Sequence, residues 1–272
     1  MHPPNPYTKE SACAWRWRSD LSKPSLDYRF RFLIHALIYM LGFWSPWLLW
    51  PRLASIPFFT DNTTWLVLAS LISRTGLLTF FTSVDVLLVV ALVFLALGAW
   101  MRVWGSAYVG TSIVQSRTMH GESMLADGPY RHTRNPLYLG TLLHTIGIAI
   151  VMPPSGAVFA VALLWIFQIR LALAEEPFLA ARFGQPYLDY KARVPRFLPT
   201  LVALVPAAGQ RPQWLQAVLG ELYFLCAFVV LAIFGWKFNA TPVRQGILIS
   251  LGVWLLVRAV MPSAKSPASQ TA

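Results

Sequence analysis

Seven stretches of this chain are apolar enough to lie in a bilayer, and their number and spacing constrain the fold more than any other feature. They cover residues 32–50, 64–81, 84–101, 137–152, 156–174, 219–236 and 246–261. A helix of ~20 apolar residues crosses ~30 Å of hydrocarbon, and a chain in lipid must satisfy its own backbone hydrogen bonds. Composition points the same way: 56% of the 272 residues are hydrophobic and 12% are charged, whereas soluble domains carry about 25% charged residues. A soluble enzyme, a disordered chain and a disulfide scaffold are thereby excluded. The expected fold is all-α, a polytopic transmembrane helical bundle.

The stretch 64–81 is broken at its centre by Arg74-Thr75-Gly76. A central Arg costs ~2.5–3.5 kcal/mol on insertion scales, so this piece is expected to be re-entrant or interfacial. If it does not cross, all of the 22 Lys and Arg except Arg52, Arg74, Lys237 and Arg244 fall on the side of the N-terminus. Positive-inside reasoning then favours six spans over the alternative of seven, with the N-terminus and the polar segments 102–136 and 175–217 in the cytosol. Pro153-Pro154-Ser155-Gly156 predicts a tight turn and a helical hairpin around it. The organisation that follows is a polar cytosolic segment (1–31), N-terminal membrane helices (32–97), a core with hairpin and interfacial cap (98–199), a C-terminal pair of membrane helices (200–261) and a disordered tail (262–272). The net charge of +11 fits juxtamembrane contact with an anionic leaflet, and no nucleic-acid partner is expected. Cys13 and Cys226 suggest neither a disulfide framework nor a metal site, and no cleavable signal peptide is read. Oligomeric state is left open.

The unusual chemistry is concentrated in the two cytosolic segments and the hairpin between them. Gly128-Pro129-Tyr130-Arg131-His132-Thr133-Arg134-Asn135-Pro136 ends a polar loop and opens a span. Asn135 suits an N-cap and Pro136 a first turn, which would turn free N–H groups toward a polar ligand; an ordinary basic flank with a good cap has the same look. Gly140, His144 and Gly147 share one helix face, open to close approach by a ligand or by another backbone. Trp165, Gln168, Ala172 and then Glu175 or Glu176 share a face of the next span. Adjacent carboxylates sit about 100° apart, so one of the two is expected to point inward, and Pro177 is expected to bend or end the helix. Phe183, Tyr187 and Tyr190 line one face of an interfacial piece that Gly184 and Pro186 divide into two short helices. Arg193 and Arg196 could meet lipid phosphate, or one could hold a carboxylate in its planar fork.

The order and spacing of these residues are more specific than any one of them. Gly-Pro-Tyr, Arg-Asn-Pro-x-Tyr-x-Gly, a hairpin, then Glu-Glu-x-x-Leu-x-x-x-Phe-Gly-x-x-Tyr-x-x-Tyr-x-x-Arg-Val-Pro resembles the integral-membrane methyltransferases typified by isoprenylcysteine carboxyl methyltransferase. The likeness runs from about Gly98 to Pro199. Asn135 stands where that family has His, and Pro177 follows the acidic pair; both features look like the related phospholipid N-methyltransferases. The resemblance implies a bundle that binds S-adenosylmethionine in a pocket open to the cytosol, with a lipid or isoprenoid acceptor entering from the bilayer. It implies that Asn135, Pro136, Tyr138 and Gly140 line the cofactor site and that Glu175 and Glu176 hold its polar groups; Tyr130, Arg134 and His144 complete the candidate cofactor set, Glu176 and Arg193 are the candidates for the catalytic step, and no metal is expected. The preferred acceptor is a carboxylate, because Arg193-Val194-Pro195 is intact. A phospholipid amine is the alternative, and a non-catalytic scaffold or transporter is the alternative of another class.

Overall fold

The computed structural model describes residues 31–45, 62–115 and 126–260. The described residues are helical with no strand, in the order α1 (Arg31–Phe43), α2 (Thr64–Arg74), α3 (Phe80–Gln115), α4 (Pro136–Ile148), α5 (Pro154–Phe183), α6 (Gln185–Arg193), α7 (Trp214–Gly220), α8 (Leu222–Phe234) and α9 (Ala240–Val260). Three of them are long and apolar enough to cross a membrane: α3 over Phe80–Tyr108, α5, and α9 over Ala240–Val257. The pair α7 and α8, bent by 66°, makes a fourth candidate when taken together. Helices α1, α2 and α4 are shorter, so length and apolarity alone do not establish six spans. The expected first span runs on into residues 46–50, outside the described residues, as do segment 1–30 and the tail.

The interrupted stretch 64–81 resolves into an 11-residue helix, α2, followed by a turn. At 1.5 Å per residue α2 is about 16 Å long, roughly half of a membrane crossing. Arg74 closes the helix instead of sitting inside a span, and Gly76 takes a left-handed φ of 76° in the turn. The start of α2 is fixed to the far end of the hairpin, where the Thr64 N–H and hydroxyl both donate to the Met152 carbonyl, at 2.7 and 2.9 Å. The hairpin turn is tighter than the sequence suggested. A 3₁₀ turn (Ala149–Val151) prolongs α4, and Pro154 already opens α5, where its missing N–H costs nothing.

Helix α3 is the central post: α2, α4, α7 and α8 all pack against it, while α1 lies on α5. One apolar cluster joins them, with Leu88 and Leu95 of α3 meeting Trp65, Met152, Leu164 and Leu231, all buried. The α3–α4 contact depends on glycine. A Cβ at Gly98 would lie 2.8 Å from the Gly140 carbonyl and the His144 nitrogen, and one at Gly140 would lie 2.9 Å from the Gly98 carbonyl. Backbone atoms cannot step aside as a flexible side chain can. Gly140 therefore serves close helix packing, the second of its two sequence readings.

Two local expectations need correction. Helix α5 does not end at Pro177 but runs through it to Phe183, and the break comes at Gly184, with φ 62° and its N–H on the Ala180 carbonyl. Proline removes one bond near the polar end of the helix, where the freed Leu173 carbonyl belongs to a half-exposed residue. Asn135 stands at the N-cap position of α4 without side-chain capping; its amide is used elsewhere, as described below. The glycine contact carries a stability test. Gly98→Ala should lower the melting temperature of detergent-solubilised protein, a loss of ~1–3 kcal/mol as for other overpacked sites. Gly252→Ala, where the new methyl meets nothing within 4 Å, should leave it unchanged or raise it slightly.

Candidate active site

At the mouth of the bundle, where α4 begins and α5 ends, two loops run side by side. Arg134 N–H donates to the Pro195 carbonyl at 2.9 Å, and the buried Thr133 hydroxyl reaches the carbonyls of Phe197 at 3.0 Å and Arg196 at 3.2 Å. The Asn135 side-chain nitrogen donates to the same Arg196 carbonyl at 3.0 Å. This cross-linking places Arg134 and Arg196 on either side of Glu176, the buried member of the acidic pair.

Glu176 is the electrostatic centre. Its Oε1 accepts from Arg134 Nη1 and Arg196 Nε, both at 2.8 Å, and its Oε2 from Arg196 Nη2 at 3.0 Å and Lys191 Nζ at 2.9 Å. The hydrogen bonds to Glu176 hold the Arg196 guanidinium above its ordinary pKa. Glu175 is half-buried and accepts from the Tyr138 hydroxyl at 2.5 Å. Both carboxylates are thus engaged: Glu176 points inward, and Glu175 turns toward the start of α4. The Arg134 Nε is buried without a partner.

Helix α6 packs its aromatic face onto this region. Tyr187 and Tyr190 are buried with Val194 against Tyr130 and Phe183, and the Tyr190 hydroxyl donates to the Tyr130 carbonyl at 2.8 Å. Burial pushes the Tyr130, Tyr187 and Tyr190 phenols above the usual range, so all three stay protonated donors. Pro186 sits in the first turn of α6 and does not break it.

The structure divides the residues singled out by sequence. Tyr130, Arg134, Asn135, Tyr138, Glu175 and Glu176 gather at the mouth. Pro136 is buried beside α3, and Gly140 faces Gly98 and the stem of Arg102. His144 lies deeper, fully buried, with both ring nitrogens unpaired and its ring edge-on to Tyr223 and Phe224 of α8. Arg193 is exposed on the last turn of α6, and it is Arg196 that reaches the acidic pair.

Sequence reading missed Arg102 and Glu221. Arg102 Nε and Nη2 clasp the Glu221 carboxylate at 2.8 Å each, and Ser106 donates to the same group. Arg102 Nη1 also approaches the Leu137 carbonyl and the Thr141 hydroxyl in the first turns of α4, at 3.4 and 3.3 Å. Glu221 forms the elbow between α7 and α8, so this pair locks the C-terminal helices to the core. A signal was present: Glu221 is the last acidic residue of the chain, alone in an apolar stretch, and such a residue needs a cation.

Residues 86–186 match the family described as phospholipid methyltransferase. That segment resembles the family. The protein-S-isoprenylcysteine O-methyltransferase of Mus musculus is 32% identical over 179 residues, 61% of this chain and 53% of the relative. Its Homo sapiens counterpart is 30% identical with the same coverage, and that of Schizosaccharomyces pombe is 30% identical over 115 residues, 41% of this chain and 49% of the relative. The chain spans about half the length of these curated relatives. No solved structure gives a significant match. The resemblance read from the motifs therefore holds, and every mouth residue from Tyr130 to Glu176 lies within the matched segment.

Glu176→Gln would leave three cations around a neutral amide. Breaking a buried pair costs ~3–5 kcal/mol, and the lower end applies here because Arg196 and Lys191 are a third or more exposed. Cofactor-free Glu176→Gln protein should therefore melt well below Glu175→Gln protein in a thermal-shift assay.

Proposed function

We propose that the protein is an integral-membrane, S-adenosylmethionine-dependent methyltransferase that modifies the carboxylate of a membrane-embedded isoprenoid or lipid-like acceptor, with its site facing the cytosol. The observation that carries this reading is the joining of the two separated motifs at one mouth: Arg134 and Tyr138 from the first meet Glu176 and Glu175 from the second. The matched family and the names of the relatives support methyl transfer, and the relatives' names favour an isoprenylcysteine-like acceptor.

The residues present fit the cofactor. S-adenosylmethionine carries a carboxylate, an ammonium and ribose hydroxyls, and the buried, unpartnered Arg134 Nε is a donor for the first. Glu175 is an acceptor for the other two, with Tyr138 fixing one of its oxygens. When bound, the cofactor supplies an already activated sulfonium methyl, so orientation and exclusion of water are what the protein adds. In this reading Glu176 positions Arg134, and the packed tyrosines of α6 keep water from the mouth. Asn135 braces the start of α4 and cannot act as a base, which suits a carboxylate acceptor, since none is needed. Arg193, exposed beside this mouth, orients the acceptor carboxylate through its planar fork. Phospholipid amine methylation is the second reading, favoured by the description of the matched family.

Titrating purified protein with S-adenosylmethionine by calorimetry should show saturable binding. Glu175→Gln should weaken it by ~1.5–3 kcal/mol, the worth of a charge-assisted hydrogen bond. Unchanged affinity in that variant would remove Glu175 from the cofactor site. With methyl-labelled cofactor, a prenylated cysteine analogue should carry label into organic solvent while phosphatidylethanolamine should not, and Arg193→Lys should slow that turnover. The reverse acceptor preference would establish the amine reading. For orientation, a cysteine placed at the exposed position Asp189 should react with an impermeant maleimide only from the cytosolic side.

A further inference from the structure

Residues 194–213 contain no helix, yet their backbone is fixed to the body of the protein. Thr200 and Leu204 N–H groups donate to the His132 and Arg131 carbonyls at 3.2 and 3.0 Å, and Arg131 Nε returns a bond to the Val205 carbonyl at 2.8 Å. Farther along, the buried Asp127 carboxylate accepts from the N–H groups of Ala208 at 3.0 Å and Gln210 at 2.8 Å. Polar backbone groups thus turn inward, and the large apolar side chains are held outward: Leu198 is 79% exposed, Leu201 100% and Val202 74%. A loop facing water would place polar side chains there. This one is also bonded to the residues just before α4, at the end of the bundle where the apolar helix α5 ends. Between residues 190 and 213 the sequence has no acidic residue and four basic ones; Lys191 and Arg196 hold Glu176, and Arg193 and Arg211 are exposed.

We propose that the 198–205 loop is a membrane anchor, with Leu198, Leu201 and Val202 inserted at the hydrocarbon boundary of the leaflet beside the mouth and the basic flanks meeting anionic lipid headgroups. Apolar side chains backed by basic residues are the combination that binds an anionic interface. Because the loop hangs on Arg131 and His132, immediately before Arg134, insertion sets the height of the mouth relative to the lipid. This inference rests on the membrane setting alone and not on methyl transfer.

The test uses full-length protein with Cys13→Ser and Cys226→Ala, in lipid nanodiscs made with and without phosphatidylglycerol. An environment-sensitive fluorophore is attached at Leu201→Cys or, for comparison, at Asp189→Cys. At position 201, quenching by a nitroxide on the lipid chain should be several-fold stronger than at 189, and quenching by aqueous iodide correspondingly weaker. The contrast should grow with phosphatidylglycerol and shrink in high salt. Adding Val202→Glu beside the label should restore iodide access at 201. Iodide quenching equal at the two positions would overturn the anchor. So would a label at 201 shielded from both quenchers, which would mean that protein, either another part of this chain or a second copy, covers the loop. Lipid quenching that is indifferent to phosphatidylglycerol would overturn the assignment of anionic headgroups.

Discussion

The buried carboxylate of Glu176 organises the mouth of this bundle. A carboxylate removed from water is costly unless its charge is matched and its lone pairs are filled. Here Arg134 comes from the loop before α4, Lys191 from α6 and Arg196 from the non-helical segment that follows, so one charge holds three separate parts of the chain. The pairing of Thr133, Arg134 and Asn135 with backbone around Pro195 and Phe197 makes that convergence rigid. Glu176 is thus fully engaged by these cations, while Glu175 meets the Tyr138 hydroxyl at the start of α4.

A second charge pair does similar work deeper in the bundle. Arg102 and Glu221 are each expensive in an apolar setting, and their bidentate contact offsets that cost while joining α3 to the elbow between α7 and α8. Arg102 extends over Gly140, whose missing Cβ lets α3 and α4 approach to backbone contact. Close packing by glycine and a fixed cation beside the first turns of α4 are therefore parts of one arrangement. It gives the C-terminal helices a role, as a wall against His144 and Arg102, that no motif in them announces.

Much of the mouth was legible in advance because its signals are local. Arg-Asn-Pro opening a span, a Glu-Glu pair closing one and an aromatic stripe on a short helix each have a physical reason to sit at a membrane surface. What misled was equally local. Pro177 has the ordinary effect of proline only where a helix cannot spare a hydrogen bond, and Asn135 is a good cap unless a nearer partner claims its amide. Arg102 and Glu221 lie 119 positions apart, and no periodicity links them.

The sequence by itself determined the all-helical class, the hairpin, the short piece at Arg74 and the likeness of segment 86–186 to a methyltransferase family, because apolar length, proline and charge placement act within a few turns of helix. Only the tertiary structure decided which carboxylate is buried, which arginine reaches it, that Gly140 packs against the Gly98 backbone, and that the 198–205 loop presents Leu198, Leu201 and Val202 outward. Those outcomes depend on which surfaces meet, and in a bundle of similar apolar helices that choice is made by a few buried charges and missing side chains whose partners lie far away along the chain.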